Sequence, residues 1–374
     1  MKSKCRLCGK EKYIASILAG YCVDCIREKW AEVASEIMEK RNWMRRDLGL
    51  PPEDTSYKSK QGIPCKLCVR ECVIGDGEYG YCGLRKNVGS RLQSLVSPDV
   101  SIAHVYLDPH VTNCCAAYFC PAGTGLGFPK YAYRNGPEYG YYNLAYFFYG
   151  CSFSCVYCQN HSLLKPNPAD VYTREEIVNW IKSTRRISCI CWVGGTPEPQ
   201  LPFALKVGKE VIEEVDRIVR LCYEWNGTGN WKLVEKAGEQ ALVSGGIIKF
   251  DLKAWSEELN IALSGYSNKR VYENFRRLFD KYYNERREIP LLTATTLLVP
   301  GYIDSYEVEC IAKFLSELDK DIPYSLLIFH PDNYMRDLPI TPKKQVQEAY
   351  NAAKKYLSNV NIGNIHLLAL APEY

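Results

Sequence analysis

The sequence predicts an α/β fold built on a parallel sheet, with cysteine-rich extensions in front of it. Two observations carry this expectation. From residue 141 onward, β-branched and aromatic runs alternate with amphipathic stretches of helical period, the pattern of successive β–α–β units with right-handed crossovers. Before residue 160, fourteen of the 18 cysteines fall into four tight groups; Cys189, Cys191, Cys222 and Cys310 stand apart and read as small core residues. The expected organisation is a metal knuckle plus helix at 1–48, a linker and Cys/Gly-rich auxiliary metal-binding region at 49–140, and the α/β domain at 141–374.

The elements follow in chain order. Two CxxC turns in the first 25 residues lead into a helix over roughly 26–46. The stretch 49–64, with its Pro, Ser and charges, reads as a linker, and 62–135 as Cys- and Gly-rich loops with short strands. Strands are expected at 143–150, 187–193, 217–225, 247–253, 290–299 and 322–329, with a last one in IGNIHLL at 362–368. Helices are expected at 173–184, 231–244, 256–263, 269–281, 304–319 and 342–357. The first of these has Thr173 as its cap, with Glu175 and Glu176 in the positively polarised first turn.

Composition narrows the function. A net charge of +4, with 24% charged residues, is too slight to argue for nucleic acid or an anionic membrane as partner. Apolar runs such as 187–193 fall far short of the ~18 residues of a membrane span. The basic start MKSKCRLCGKEK lacks an apolar segment, so a reducing cytoplasm is the expected setting. There, grouped cysteines mean metal or redox chemistry more often than disulfides.

Cys5, Cys8, Cys22 and Cys25 have the spacing C-x2-C-x13-C-x2-C, which points four thiolates at one tetrahedral ion in a closed, structural site. Cys65, Cys68, Cys72 and Cys82 form a second group, threaded with glycines that let the backbone turn tightly; zinc, iron and an iron–sulfur cluster all fit the spacing. Cys114, Cys115 and Cys120, near His104 and His110, match no common closed site, and substrate-site thiols, a further ligand set and packing all stay open for them. Cys151, Cys155 and Cys158, in YGCSFSCVYCQN, put three thiolates within eight residues, directly after an aromatic strand. Three thiolates can hold three irons of a 4Fe–4S cube and leave the fourth iron open to an exogenous ligand. A loop at the C-terminal end of a strand is where α/β sheets and barrels place their sites.

The triad, with Tyr157 directly before its last cysteine, resembles the signature of the radical S-adenosylmethionine (SAM) superfamily. Downstream segments resemble its glycyl-radical-enzyme-activase-like branch, pyruvate formate-lyase activating enzyme among them. GGTPEPQ at 194–200 is similar to the GGE motif, with Thr196 at the usual Glu position and Glu198 two residues on. IIKFDLKA at 247–254 is similar to the DLK strand, LLVPGYID (297–304) and LLIFHPDNYM (326–335) to later strand ends, and Asn160 matches a residue that follows the triad. The Cys65–Cys82 segment is similar to a prelude found in activase-like proteins of archaea and anaerobes. The resemblance covers about residues 60–370.

The resemblance implies a partial (βα)6 TIM-like barrel of radical SAM type. It implies a 4Fe–4S cluster on the triad, SAM chelated at the open iron, and reductive cleavage to a 5′-deoxyadenosyl radical. Tyr157, Asn160, Gly194, Gly195, Thr196, Glu198, Asp251 and Lys253 become cofactor contacts, and His330 a catalytic candidate. It further implies a protein or peptide substrate and a low-potential electron donor, a ferredoxin or flavodoxin. Two alternatives stand beside the activase-like reading: a cobalamin-dependent C-methyltransferase, for which DPHVTN at 108–113 offers a faint D-x-H match, and a non-catalytic iron–sulfur electron carrier.

Overall fold

The structure, a computed structural model, describes residues 2–53 and 61–373; residues 54–60 of the expected linker lie outside the described residues. Its centre is one mixed sheet of nine strands: β1 (Val100–Pro109), β2 (Tyr142–Phe148), β3 (Val171–Thr173), β4 (Ile187–Gly194), β5 (Arg220–Trp225), β6 (Ile248–Asp251), β7 (Leu292–Leu298), β8 (Tyr324–Ile328) and β9 (Val360–Gly363). The strand order is β9-β8-β7-β6-β5-β4-β2-β1-β3, so the sheet is open, with β9 and β3 as its edges. Strands β2 and β4 to β9 run parallel in chain order, joined by six crossovers. This is the parallel α/β sheet that the alternating pattern implied.

The helices that cover the sheet are α3 (Arg174–Ser183), α4 (Leu201–Glu214), α5 (Trp231–Ser244), α6 (Glu257–Ser264), α7 (Lys269–Tyr282), α8 (Ser305–Leu318) and α9 (Lys343–Lys354); in front of the sheet lie the helices α1 (Val23–Glu28) and α2 (Trp30–Asp47). Thr173 caps α3 in a full capping box with Glu176, as its sequence implied. Alternation along the strands sorts the two faces. Leu144, Tyr146 and Phe148 of β2 and Ile190 and Trp192 of β4 pack outward under the helices, with Trp192 5.7 Å from Phe148 in stacked geometry. Asn143, Ala145 and Phe147, then Cys189, Cys191 and Val193, face a lumen on the other side. Alternation therefore explains why Cys189 and Cys191, buried in an apolar run, are not core residues.

Three local differences from expectation have simple causes. Strand β1, ten residues long, falls in the stretch expected to hold loops and short strands; it pairs antiparallel with β2 over seven residue pairs and extends the sheet. The helix expected over 26–46 is two helices, broken at Lys29, which has φ −130° and ψ 36°. The last strand ends at Gly363, and Ile365–Leu370 forms a 3-10 helix after Asn364 turns the chain with a positive φ of 58°. No helix among the described residues is long and apolar enough to cross a membrane.

The N-terminal helices dock on the strand-end loops. Tyr302 donates to the Tyr21 carbonyl at 2.9 Å and accepts from the Ala15 amide at 2.9 Å, and Arg27 bridges Asp304 at 2.8 Å. At the centre of this docking lies Glu53, with 1% of its side chain exposed. It accepts from Arg41 at 2.7 Å, Arg70 at 3.1 Å, Tyr81 at 3.1 Å and Ser154 at 3.0 Å. Arg41 also reaches the Ser154 carbonyl at 2.9 Å, and Arg70 the Ser152 carbonyl at 2.7 Å. Gly265 belongs to this arrangement: its φ is +91°, and a Cβ there would meet Arg41 Nη2 and Glu53 Oε1 at 2.3 Å.

Burial alone would raise the Glu53 carboxyl, but the flanking guanidiniums of Arg41, Arg70 and Arg45 bring it down to about 2. A folded-state value below the unfolded one means stability that is full above the ordinary carboxylate range and lost as pH falls toward 2. Glu53→Gln leaves two buried guanidiniums short of charge and is expected to cost ~3–5 kcal/mol in unfolding followed by circular dichroism. The gap between wild type and variant closes as pH is lowered from about 4.5 to 2; a gap independent of pH would show that the carboxylate charge does not matter.

Candidate active site

The loop after β2 carries Cys151, Cys155 and Cys158, and its shape is set by main-chain bonds to other segments. Ser154 and Val156 donate their amides to the carbonyls of Ser264 (3.1 Å) and Leu263 (2.9 Å) at the end of α6, and the Tyr334 amide bonds the Val156 carbonyl at 3.0 Å. Cys151 Sγ donates to the Gly195 carbonyl at 3.1 Å and accepts from Asn226 Nδ2 at 3.3 Å. All three cysteines line one cavity of about 170 Å³ at the C-terminal ends of the parallel strands. Burial pushes the Cys151 thiol up to about 12, so loading a metal there must expel a proton.

The same cavity gathers Tyr157, Asn160, Gly194, Gly195, Asp251 and Lys253. Lys253 is buried and paired with Asp251; burial disfavours its charge, yet Asp251, Cys155 and Tyr157 raise the ammonium well above its ordinary value. Other expected contacts lie elsewhere. Thr196 and Glu198 are not among the residues lining the cavity. Thr196 donates to Glu198, whose other oxygen accepts the Thr228 amide at 2.8 Å, so this carboxyl braces the loop after β5. The space a Cβ would take at Gly194 is filled by the Phe148 amide nitrogen at 2.3 Å, and at Gly195 by the Gly150 carbonyl at 2.5 Å. The glycine pair thus lets two strand ends touch. His330 follows the end of β8 and is not among the lining residues either.

The residues present fit a cluster and a nucleoside-bearing cofactor. Thr295 Oγ1 and Trp225 Nε1 belong to residues that line the cavity, are buried, and have no hydrogen-bond partner among the described residues. Buried polar atoms of this kind are rare unless a ligand completes them. Asn226, Thr295 and Trp225 were not singled out from the sequence. For Asn226 and Thr295 strand alternation was the available signal, since Asn226 is two residues past Glu224 and Thr295 pairs with Asp251, both of which line the cavity; Trp225 lies between Glu224 and Asn226, so alternation gave no signal for it.

Thiol spacing separates the cysteine groups. Cys5 and Cys25 lie 3.7 Å apart, as do Cys8 and Cys22, and all four sulfurs lie within 4.8 Å of one another. Four thiolates around one ion with ~2.3 Å bonds stand ~3.8 Å apart, so the knuckle is shaped for a single tetrahedral ion such as zinc. Cys65, Cys68, Cys72 and Cys82 instead surround one small cavity that Cys151 and Ser152 also line, yet no three of them approach that closely. The triad shows the same wider spacing. Leu67 and Val69 hold this segment against the loop after β5 through main-chain bonds of 2.9 Å to Asn230 and Thr228.

Comparison with known proteins gives the family. The Radical SAM superfamily model matches residues 145–315. A Methanocaldococcus jannaschii protein that carries the name of a putative glycyl-radical enzyme activating enzyme is 30% identical over 218 residues, 57% of this chain and 77% of that protein. The isethionate sulfite-lyase activating enzyme of Oleidesulfovibrio alaskensis is 30% identical over 140 residues, 37% of this chain and 40% of its own length. Among solved structures, a domain of pyruvate-formate lyase-activating enzyme from Bacteroides vulgatus superposes with a TM-score of 0.38 at 16% identity, over 46% of this chain and 98% of that one. The chain belongs to the radical SAM superfamily, whose members hold a 4Fe–4S cluster on such a triad and use S-adenosylmethionine.

Proposed function

We propose that this radical SAM enzyme is activase-like and abstracts a hydrogen atom from a carbon, Cα included, of a protein or peptide substrate. The observation that carries the reading is the continuity of the triad cavity with a second, larger space. The cavity of about 170 Å³ shares Asn160, Val193, Glu224 and Lys249 with a lumen of about 410 Å³, so the two spaces adjoin, which supports a cofactor site beside a substrate site. The names of the relatives, two of them activating enzymes, support a protein substrate. When bound, the cluster and SAM together supply an electron and a carbon-centred radical. The protein's part is to orient and to exclude water. Cys151, Cys155 and Cys158 hold the cluster. Tyr157 walls the cavity beside it, while Asp251, Lys253, Thr295 and Trp225 offer the polar contacts for the cofactor. His330 follows the end of β8, lines neither the cavity nor the lumen, and has no part in this reading.

Cys65, Cys68, Cys72 and Cys82 fit an iron–sulfur cluster better than zinc, on their spacing, and the small cavity they share with Cys151 and Ser152 suits an electron relay from a ferredoxin or flavodoxin in the cytoplasm. The D-x-H match offered for the cobalamin reading centres on His110. His110 is buried, and its Nε2 lies 3.0 Å from Ser188 Oγ and 3.6 Å from Cys189 Sγ, so the activase-like reading takes precedence.

Two outcomes test these assignments. Replacing Cys151, Cys155 and Cys158 by Ala abolishes SAM cleavage under a strong reductant, measured as 5′-deoxyadenosine, while the metal at Cys5–Cys25 stays bound; retained cleavage refutes the site. Replacing Cys65, Cys68 and Cys72 by Ser lowers iron from about eight to about four per chain and slows cleavage driven by a protein donor far more than cleavage driven by dithionite. Unchanged iron refutes the second cluster.

A further inference from the structure

The lumen holds a group of residues that radical chemistry does not use. Strand β1 runs antiparallel to β2, so the segment between them closes the lumen at the end opposite the triad. That segment carries the adjacent Cys114 and Cys115, anchored by the Cys114 amide on the Thr112 carbonyl at 2.8 Å and by Ser325 Oγ on the Cys115 carbonyl at 2.7 Å. The two sulfurs and a carboxylate oxygen of Glu224, on β5, lie within 4.8 Å of one another. Lys249 of β6, 3% exposed, reaches Cys114 Sγ at 3.3 Å, Cys191 Sγ at 3.1 Å and Glu224 at 3.4 Å.

We propose that Cys114, Cys115 and Glu224 form a further metal site, for one zinc-class divalent ion, facing the lumen. Three arguments lead there. The donor set is two sulfurs and one oxygen, gathered from two separate segments to within the reach of one ion, and it differs from the wider spacing of the two cluster-like groups. As ligands, two thiolates and a carboxylate carry three negative charges crowded together; buried Lys249 offsets one, and a dication offsets the other two, so metal binding neutralises a partly buried group whose members otherwise repel one another. Lys249 then acts as the hydrogen-bond donor that orients a ligand sulfur, a role that outer partners of metal sites commonly fill. Three protein ligands leave a fourth position of a tetrahedral ion, and Cys114 and Glu224 both border the lumen, so that position opens toward the substrate space. A sulfur, oxygen or nitrogen atom of the substrate could occupy it, which would fix the substrate below the cofactor. Cys189, Cys191 and Cys222 line the same space without joining the close group.

The test is a zinc count, which does not depend on SAM turnover and so fails separately from the radical reading. The full chain, purified anaerobically with its clusters built, is equilibrated with zinc, desalted and analysed for bound metal. Cys115→Ser and Glu224→Gln are each expected to hold one zinc fewer than wild type. Cys8→Ser is also expected to hold one fewer, and Cys8→Ser combined with Glu224→Gln two fewer. Cobalt in place of zinc should give thiolate-to-metal absorption that drops in the same variants. Glu224→Gln keeps the shape of the side chain, so its circular dichroism at ambient temperature is expected to match wild type and separate lost metal from lost fold. If Cys115→Ser and Glu224→Gln hold as much zinc as wild type and keep the full cobalt absorption, the site does not exist.

Discussion

The carboxylate of Glu53 is the point on which the functional end of this molecule depends. One buried anion meets two buried guanidiniums, and the three come from separate parts of the chain: Arg41 from the helix behind the metal knuckle, Arg70 from the Cys65–Cys82 segment and Glu53 from the chain between them. Both guanidiniums go on to bond carbonyls inside the triad loop, at Ser154 and Ser152. A loop that must present three thiolates to one cluster has few internal hydrogen bonds of its own. Here its backbone groups are satisfied by charged side chains from outside, and the network is fully enclosed, where such bonds are strongest and their loss most costly. The two cysteine-rich extensions thereby brace the active-site loop.

The rest of the architecture serves confinement. A radical that can break a strong C–H bond must meet one hydrogen and little else. Apart from Phe147, the parallel strands put small, polar or β-branched side chains toward the lumen, while Tyr146, Phe148 and Trp192 pack under the helices, so the interior is hollow and the exterior layer dense. The triad sits at one end of that hollow, and the segment bearing Cys114 and Cys115 closes the other. The thiols occur at two spacings that suit two kinds of metal group, close sets for single ions and wider sets for polynuclear clusters.

What the sequence disclosed follows from distance along the chain. The triad and the CxxC pairs were legible because their ligands must lie close together in one or two turns. The strands and helices of the α/β domain were legible because their periods of 2 and 3.6 are local. Glu53 was not, since its meaning lies in partners distant along the chain and across a stretch that reads as linker. Cys189 and Cys191 read as core because an apolar run hides which face each residue takes; only pairing with β2 and β5 assigns them to the lumen. Strand β1 was obscured by the glycine- and cysteine-rich residues that follow it. Thr196, standing where the GG motif usually has an acid, raised a question that sequence could not answer, and Glu198, bonded to Thr196 and Thr228, turns inward to brace a loop.

The central claim is that the triad leaves one iron open and that SAM binds there, inside the cavity bordered by Asp251, Lys253 and Thr295. Pulsed electron–nuclear double resonance on the reduced protein, with SAM labelled by 15N at the amino group and 17O at the carboxylate, tests it most directly. The account predicts hyperfine coupling of both labels to the cluster spin. A reduced cluster whose spectrum shows no coupling to either label, with SAM bound, would contradict it.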